Sequence, residues 1–235
     1  MGKITIAIDG YSSTGKSTIA KDLARALNYV YVDTGAMYRA ITLFALDNNC
    51  IVDNKINLER LVRLLPKAKL KFQFNKELDC SQMFLNGKNV EHEIRTMRVS
   101  KLVSKIATIP EVREKLVSMQ KEMGKNKGIV MDGRDIGTVV FPNAEFKIFM
   151  TASPDIRASR RYKELISKGE NVTYEEVLKN VRERDYIDSN RASSPLMKAE
   201  DAIEFDNSDM GLQEQFERIH HYALNVIEKQ KKNAL

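Results

Sequence analysis

Nine consecutive residues carry the most explicit chemistry in this 235-residue chain: Gly10, Tyr11, Ser12, Ser13, Thr14, Gly15, Lys16, Ser17 and Thr18. They have the spacing G-x-x-x-x-G-K-S. Such a loop turns successive backbone N–H groups toward phosphate oxygens at the positive end of a helix. Lys16 is then placed to reach β- and γ-phosphates, and the Ser17 hydroxyl to hold Mg2+. A glycine turn that happens to precede a helix is the alternative reading. Both flanks speak against it. The apolar run Ile4-Thr5-Ile6-Ala7-Ile8-Asp9 precedes the loop, and Ile19, Leu23, Ala24 and Leu27 recur on one helical face after it. The loop therefore implies a nucleoside-triphosphate site, without saying how the triphosphate is used.

Other chemistry-bearing residues fall at the ends of apolar segments. Asp132 closes Ile129-Val130-Met131. There a carboxylate either helps to hold Mg2+ or simply ends a strand. The stretch Asp132-Gly133-Arg134-Asp135-Ile136-Gly137-Thr138 packs two carboxylates and an arginine into one loop. These groups either neutralise one another or grip a second substrate beside the phosphate site. Val177, Val181, Arg184, Asp188 and Arg191 follow helical steps of three and four. A charged stripe continuing an apolar one faces inward, and inward arginines need anions. Arg157, Arg160 and Arg161 share one face of the preceding helix. That helix is either a plain surface helix or part of a lid closing over the triphosphate. Arg39 and Arg113 complete a set too rich in arginine for a simple hydrolase, and it suggests two bound phosphorylated molecules. The three histidines show no metal spacing, and no G-x-S-x-G elbow or dinucleotide fingerprint is present.

The elements that must position these groups alternate. Strands are expected at 4–9, 29–32, 129–131, 146–150 and 202–205. Helices are expected after Lys16, after Thr34, around 58–65, across Val99, Leu102, Val103 and Ile106, and again from Val112 to a C-cap at Gly124. Ser153-Pro154 is an N-cap with proline at the first helical position. Thr173-Tyr174-Glu175-Glu176 is a capping box, and residues 212 to about 231 form a closing helix. Between 69 and 92 the period changes to two, with Leu70, Phe72 and Phe74 alternating with polar residues and Asn86-Gly87 marking a hairpin turn. Buried strands alternating with helices predict a parallel sheet covered on both faces, with ligands at the strands' carboxyl ends. Asp9, Asp33, Asp132 and Thr151 all fall there.

Composition sets the remaining bounds. Hydrophobic residues make up 43% and the formal net charge is +6. No stretch reaches the roughly 20 apolar residues of a membrane span. The first apolar run stops at Asp9, unlike an export signal. Cys50 and Cys80 have neither metal nor redox spacing. A cytoplasmic monomer that uses neither membrane nor nucleic acid is the expectation. A nucleic-acid-dependent ATPase or a nucleotide switch predicts a basic face away from the strand ends and a water-positioning residue, and the sequence displays neither.

Five stretches together resemble a known family. They are Ile8-Asp9-Gly10 with the loop, Asp33-Thr34-Gly35-Ala36-Met37-Tyr38-Arg39, Glu93-Ile94-Arg95-Thr96, Asp132 through Pro142, and Glu183-Arg184-Asp185 through Asn190-Arg191. In this order they resemble the bacterial cytidylate kinases, of the nucleoside-monophosphate kinase fold. The resemblance implies an α/β P-loop kinase with a five-stranded parallel sheet, helices on both faces, a small antiparallel insertion in the monophosphate-binding segment and a short lid. The division it suggests is a core of about 1–62, 105–152 and 172–235, an insertion of about 63–104 and a lid of about 153–171. The implied reaction is ATP + CMP to ADP + CDP, with dCMP also accepted, in pyrimidine nucleotide metabolism. Residue by residue, Ser104, Arg113 and Asp135 should meet cytosine. Arg184 and Asp188 should meet ribose, and Arg39, Arg134 and Arg191 the acceptor phosphate. Thr34, Tyr38 and Gly133 should line the CMP pocket; many members carry serine where Thr34 stands. Residues 10–18 with Arg157, Arg160 and Arg161 should hold ATP, and Ser17 and Asp132 should hold Mg2+. Lys16, Asp132, Arg134 and Arg191 form the expected catalytic set. The nearest rival is a kinase of the same fold for another small acceptor.

Overall fold

The structure, a computed structural model, describes residues 2–77 and 79–233. In chain order it contains β1 (Thr5–Gly10), α1 (Lys16–Leu27), β2 (Val30–Asp33), α2 (Thr34–Asp47), β3 (Ile51–Val52), β4 (Lys55–Ile56), α3 (Leu58–Leu64), β5 (Leu70–Asn75), β6 (Cys80–Leu85) and β7 (Lys88–Asn89). There follow α4 (Met97–Ser100), α5 (Val103–Ile106), α6 (Pro110–Met123), β8 (Ile129–Gly133), β9 (Phe146–Thr151), α7 (Pro154–Ser167), α8 (Tyr174–Asn190), β10 (Ile203–Asp206) and α9 (Leu212–Asn233).

The main sheet has the order β10-β9-β1-β8-β2, and every neighbouring pair is parallel. Strand β1 is buried along its whole length, as a central strand between two covered faces must be. On one face Ile6 and Ile8 pack with Ile19 and Leu23 of α1 and Ile219 of α9. On the other, Ala7, Val32 and Met131 meet Ile136 and Val140. A larger cluster is built around α2, where Met37, Ile41 and Phe44 meet Leu61, Met83, Ile94, Ile106 and Leu116. Helix α2 therefore joins the sheet to the smaller antiparallel sheet β5-β6-β7. The register aligns the chemical ends of the strands: Asp9 lies opposite Gly133, Asp33 opposite Asp132, and Gly10 opposite Met150. The chain leaves β1 and returns at β2 beyond β8, so the crevice expected at such a crossing opens beside residues 10–18.

Local chemistry explains the boundaries. Asp33 caps α2 by accepting from the Ala36 N–H at 2.9 Å. The Ser153 hydroxyl accepts from Ile156 N–H with Pro154 next in the chain, and Thr173 and Glu176 form the reciprocal capping box. Asn86 and Gly87 have φ of 51° and 85°, as a tight hairpin turn requires.

Three features differ from expectation. A small hairpin, β3 with β4, turns on Asp53 and Asn54, whose positive φ values replace the expected glycine signal. The apolar period at 99–106 is divided between the one-turn helices α4 and α5, with Lys101 and Leu102 in a turn between them and Leu102 at φ −115°. Gly124 ends α6 without the left-handed turn of a glycine cap; a side chain there would lie 2.2 Å from the Phe141 ring, and that close approach is its role.

Gly10 carries the tightest constraint at the sheet edge. Its φ is +143°, and a Cβ would sit 2.0 Å from the Met150 carbonyl oxygen. Gly10→Ala should combine backbone strain with overpacking and lower the unfolding free energy by about 2–6 kcal/mol. Urea denaturation checks this; a midpoint like wild type would show that the strand edge can relax.

Candidate active site

Residues 10–18 wrap around the N-terminus of α1. Gly15 caps the helix at φ 89° and Ser13 lies at φ 60°, conformations that roll the backbone into a cradle. Lys16 folds back over the loop and donates to the Tyr11 carbonyl at 2.5 Å and to Thr14 Oγ1 at 3.4 Å. Burial, helped by the nearby Arg134 cation, holds its ammonium well below the usual lysine range. Asn207, which follows β10, steadies the loop from the other side by donating to the Thr14 carbonyl at 2.6 Å.

Asp132 is the point where three elements meet. The Ser17 hydroxyl donates to Oδ2 at 2.9 Å, the Tyr31 hydroxyl to Oδ1 at 2.9 Å, and Thr34 Oγ1 to the main-chain oxygen at 2.7 Å. Burial, with the negative charge of Asp33, pushes the Asp132 carboxyl up to about 6, and Lys16 opposes the shift. A hydroxyl beside a carboxylate is a hard-oxygen donor pair, and Mg2+ commonly takes one or two protein ligands and completes its shell with phosphates and water. Among the described residues, no cluster of three or more His, Cys, Asp or Glu could hold a metal alone. The donor set thus fits a metal that arrives with a polyphosphate.

Two cavities adjoin this point. The outer one measures about 850 Å³ and is lined by Ser13 through Thr18, Tyr31, Arg39, Arg160 and Arg161, with Phe72, Cys80 and Ser81 of the antiparallel sheet opposite. The inner one, about 110 Å³, is lined by Ser12, Thr34, Tyr38, Ser104, Gly133, Arg134, Asp135, Arg184, Asp188 and Arg191. Ser13, Lys16, Ser17, Asp33, Arg39 and Arg95 line both. The inner lining carries six cationic side chains against four carboxylates. Its carboxylates are engaged: Arg113 and Arg191 both hold Asp135, and Arg134 Nε donates to Asp188 at 2.9 Å. Its cations are not fully served. Among the described residues, Arg184 Nε is buried without a partner, as is the neutral Ser12 Oγ, and Arg39 makes one long bond, 3.5 Å, to the Ile94 carbonyl. Burial and the cations of Arg184, Arg161 and Arg95 push Arg39 well below the usual arginine range; burial and Arg134 bring Arg184 down to about 10. Such a site favours anions.

Some expected residues stand back from both cavities. Arg113 is 4% exposed and reaches the site through Asp135 and the Tyr38 hydroxyl. Gly10 and Tyr11 support the loop from behind, with the Tyr11 ring packed edge-on against Phe149. Arg157, expected among the triphosphate contacts, is engaged elsewhere. Its guanidinium donates to the Ala152 and Ser12 carbonyls and grips Asp185 with two bonds of 3.0 and 2.6 Å, over the Tyr11 ring. Arg160 and Arg161 do reach the outer cavity.

Four contributors carry no role in the sequence reading. Arg95 pairs with Asp33 at 2.8 Å and Glu91 at 2.6 Å, and its carbonyl accepts from Arg161. Asp9 accepts the N–H groups of Ile136 and Gly137 at 2.8 and 2.7 Å and so pins the π-helical turn Ile136–Val140 behind Asp135. Tyr31 and Asn207 are the others. Asp9 and Arg95 lay in motifs already noted; Tyr31 gave no signal beyond its strand, and Asn207 gave none.

With this geometry in hand, comparison with known proteins is decisive. The cytidylate kinase family model matches residues 6–225. The chain belongs to the cytidylate kinase family. It is 61% identical to the cytidylate kinase of Flavobacterium johnsoniae over 97% of this chain and 99% of that one. It is 58% identical to the cytidylate kinase of Phocaeicola vulgatus, over 92% and 94% of the two chains. A gluconokinase from Sinorhizobium meliloti shares the fold, with a TM-score of 0.53 at 11% identity over 99% of this chain and 98% of that one. No helix among the described residues of this cytidylate-kinase-family chain is long and apolar enough to cross a membrane.

Burial pushes the Asp9 carboxyl up to about 7, against the pull of its two backbone N–H donors. A carboxyl raised on folding stabilises fully below its unfolded value, near 4, and loses that contribution as pH rises through about 7. Asp9→Asn removes the titration. The stability difference between wild type and variant should therefore shift in favour of the variant between pH 4.5 and 7.5, measured by urea unfolding at both. A pH-independent difference would contradict the raised value.

Proposed function

We propose that this protein transfers the γ-phosphoryl group of ATP to CMP or dCMP, giving ADP and CDP or dCDP. The observation that carries the reading is the meeting of two cavities at Lys16 and Ser17, one bounded by a phosphate-binding loop and the other rich in arginine. Donor and acceptor phosphates would meet there. The acceptor is a phosphate oxygen, already anionic near neutral pH, so no general base is required. Catalysis is then alignment of two phosphates and neutralisation of the charge that moves between them.

Each side chain has a task in that scheme. The loop's N–H groups and Lys16 would hold the β- and γ-phosphates, with Arg160 and Arg161 closing from α7. Ser17 and Asp132 would hold Mg2+, which would supply positive charge to offset that of the phosphates. Arg39, Arg134 and Arg191 would take the acceptor phosphate, and Arg184 and Asp188 the ribose. Arg184 Nε and Ser12 Oγ, unpartnered among the described residues, are natural donors to a nucleotide. Arg157 is better read as a brace between the loop and α8 than as a phosphate contact.

Asp135 would accept the cytosine N4 amino group, with Ser104 and Arg113 serving N3 and O2. A carboxylate offers about four lone-pair sites, so two arginine partners leave room for that bond. The inner cavity, about 110 Å³, is smaller than the roughly 300–1,000 Å³ usual for ligands of this size. Entry of CMP would open it and exchange protein ion pairs for nucleotide contacts. That supports reading residues of about 63–104 as a monophosphate-binding insertion and about 153–171 as a lid, both moving on the core to exclude water.

A coupled assay of ADP release with CMP, dCMP, UMP and AMP tests the function directly: CMP and dCMP should be used best, and preference for AMP would refute it. Lys16→Ala should lower phosphoryl transfer by about 10²–10³-fold with an ordinary melting curve, as expected for a lost donor to developing charge. Asp135→Ala should cut kcat/KM for CMP and narrow the CMP/UMP ratio by losing CMP. Sites built on such hydrogen bonds reject mismatched analogues by as much as about 10⁴–10⁵. An unchanged ratio would assign Asp135 to loop shape alone.

A further inference from the structure

Strand β2 borders the sheet at the active edge, and its three residues before Asp33 behave differently. Val30 is 63% exposed, Val32 is buried, and Tyr31 between them is half-buried, lining the outer cavity and packing against the core under α1. The register puts Tyr31 opposite Val130, two residues short of Asp132. A tyrosine is long enough to span that gap, and its hydroxyl donates to Asp132 Oδ1 at 2.9 Å. Ser17 holds Oδ2 at the same distance, and Thr34 holds the main-chain oxygen. The carboxylate is thus fixed at both ends, with Oδ2 turned to the hydroxyl that shares the proposed metal site.

We propose that Tyr31 is a positioning residue for the divalent cation: its hydroxyl fixes the orientation of the Asp132 carboxylate so that Oδ2 and Ser17 Oγ face the metal together. Without that donor the carboxylate is free to turn about its last bond, and the charge of Lys16 lies nearby to draw it away from Ser17. Partners that orient a ligating carboxylate commonly change metal affinity by about 10–100-fold when removed. The proposal rests on the reading of Ser17 and Asp132 as the Mg2+-holding pair.

The test is Tyr31→Phe, which removes one oxygen and keeps the ring. Mn2+ binding to the complex of enzyme with a non-hydrolysable ATP analogue is read by electron paramagnetic resonance of the free ion. Affinity should fall about 10–100-fold. The Mg2+ concentration for half-maximal rate should rise in parallel, and saturating Mg2+ should restore most of kcat. Asp132→Asn and the double variant close a cycle: once Asp132 is replaced, Tyr31→Phe should have no further effect on Mn2+ affinity. This comparison holds even if the phenylalanine lowers the melting temperature. Unchanged Mn2+ affinity in Tyr31→Phe beside a clear loss in Asp132→Asn overturns the role of Tyr31 alone. Unchanged affinity in Asp132→Asn overturns the metal reading and this proposal with it. Additive losses in the double variant would mean that Tyr31 acts on something other than Asp132.

Discussion

Guanidinium groups held at the dry carboxyl edge of a parallel sheet need negative charge, and this constraint organises the molecule. Among the described residues, six cationic side chains line the inner cavity against four carboxylates, and one of the arginines, Arg184, keeps a buried N–H without a partner. Folding alone does not satisfy the site. The available carboxylates are shared as far as they reach: Asp135 between Arg113 and Arg191, Asp188 with Arg134, Asp33 with Arg95. These pairs draw the walls together and leave about 110 Å³. Buried ion pairs add little net stability against apolar packing, so their presence argues for specificity and exchange rather than for strength. A bound nucleotide phosphate would supply what the protein lacks.

A charged site of this kind holds its geometry only if its supports are rigid. The supports are themselves polar and buried. Asp9 ties β1 to the turn that carries Asp135, Asp33 both caps α2 and holds Arg95, and Asn207 braces the loop from beyond β10. The Arg157–Asp185 pair matters most for register. It fastens the loop's Ser12 carbonyl to α8, the helix that carries Arg184 and Asp188. The loop and the helix carrying Arg184 and Asp188 are therefore connected through one buried guanidinium.

The legible parts of the sequence were those with a local rule. The loop spacing, the capping box at Thr173, the Asn86-Gly87 turn and the apolar strands each have a short-range physical cause, and each forms. The inward stripe Val177, Val181, Arg184, Asp188 and Arg191 was legible because helical period and burial coincide: all five are under a tenth exposed. Parts that depend on distant partners were not legible. Tyr31 reads as an ordinary strand residue until β8 brings Asp132 beside it, and Asn207 carries no local signal before it meets Thr14, 193 positions earlier. Arg157, Arg160 and Arg161 share a helical face, yet Arg157 lies over a tyrosine ring with Asp185 across from it, and only the fold distinguishes it from its neighbours.

The same excess of buried positive charge suits the site to moving a phosphoryl group. The transferred group carries negative charge spread over several oxygens throughout, so donors fixed in advance stabilise it without reorganising. Had every arginine been paired with a carboxylate of the protein, the site would be calmer and would hold nothing further. Arg39, with one long hydrogen bond and three cationic neighbours, is the clearest case. Its place near the start of α2, lining both cavities, is unfavourable for the protein alone and would become favourable beside a phosphate. Stability given up at such positions is recovered by the apolar packing of α2 just behind it, where Met37 and Ile41 are fully buried.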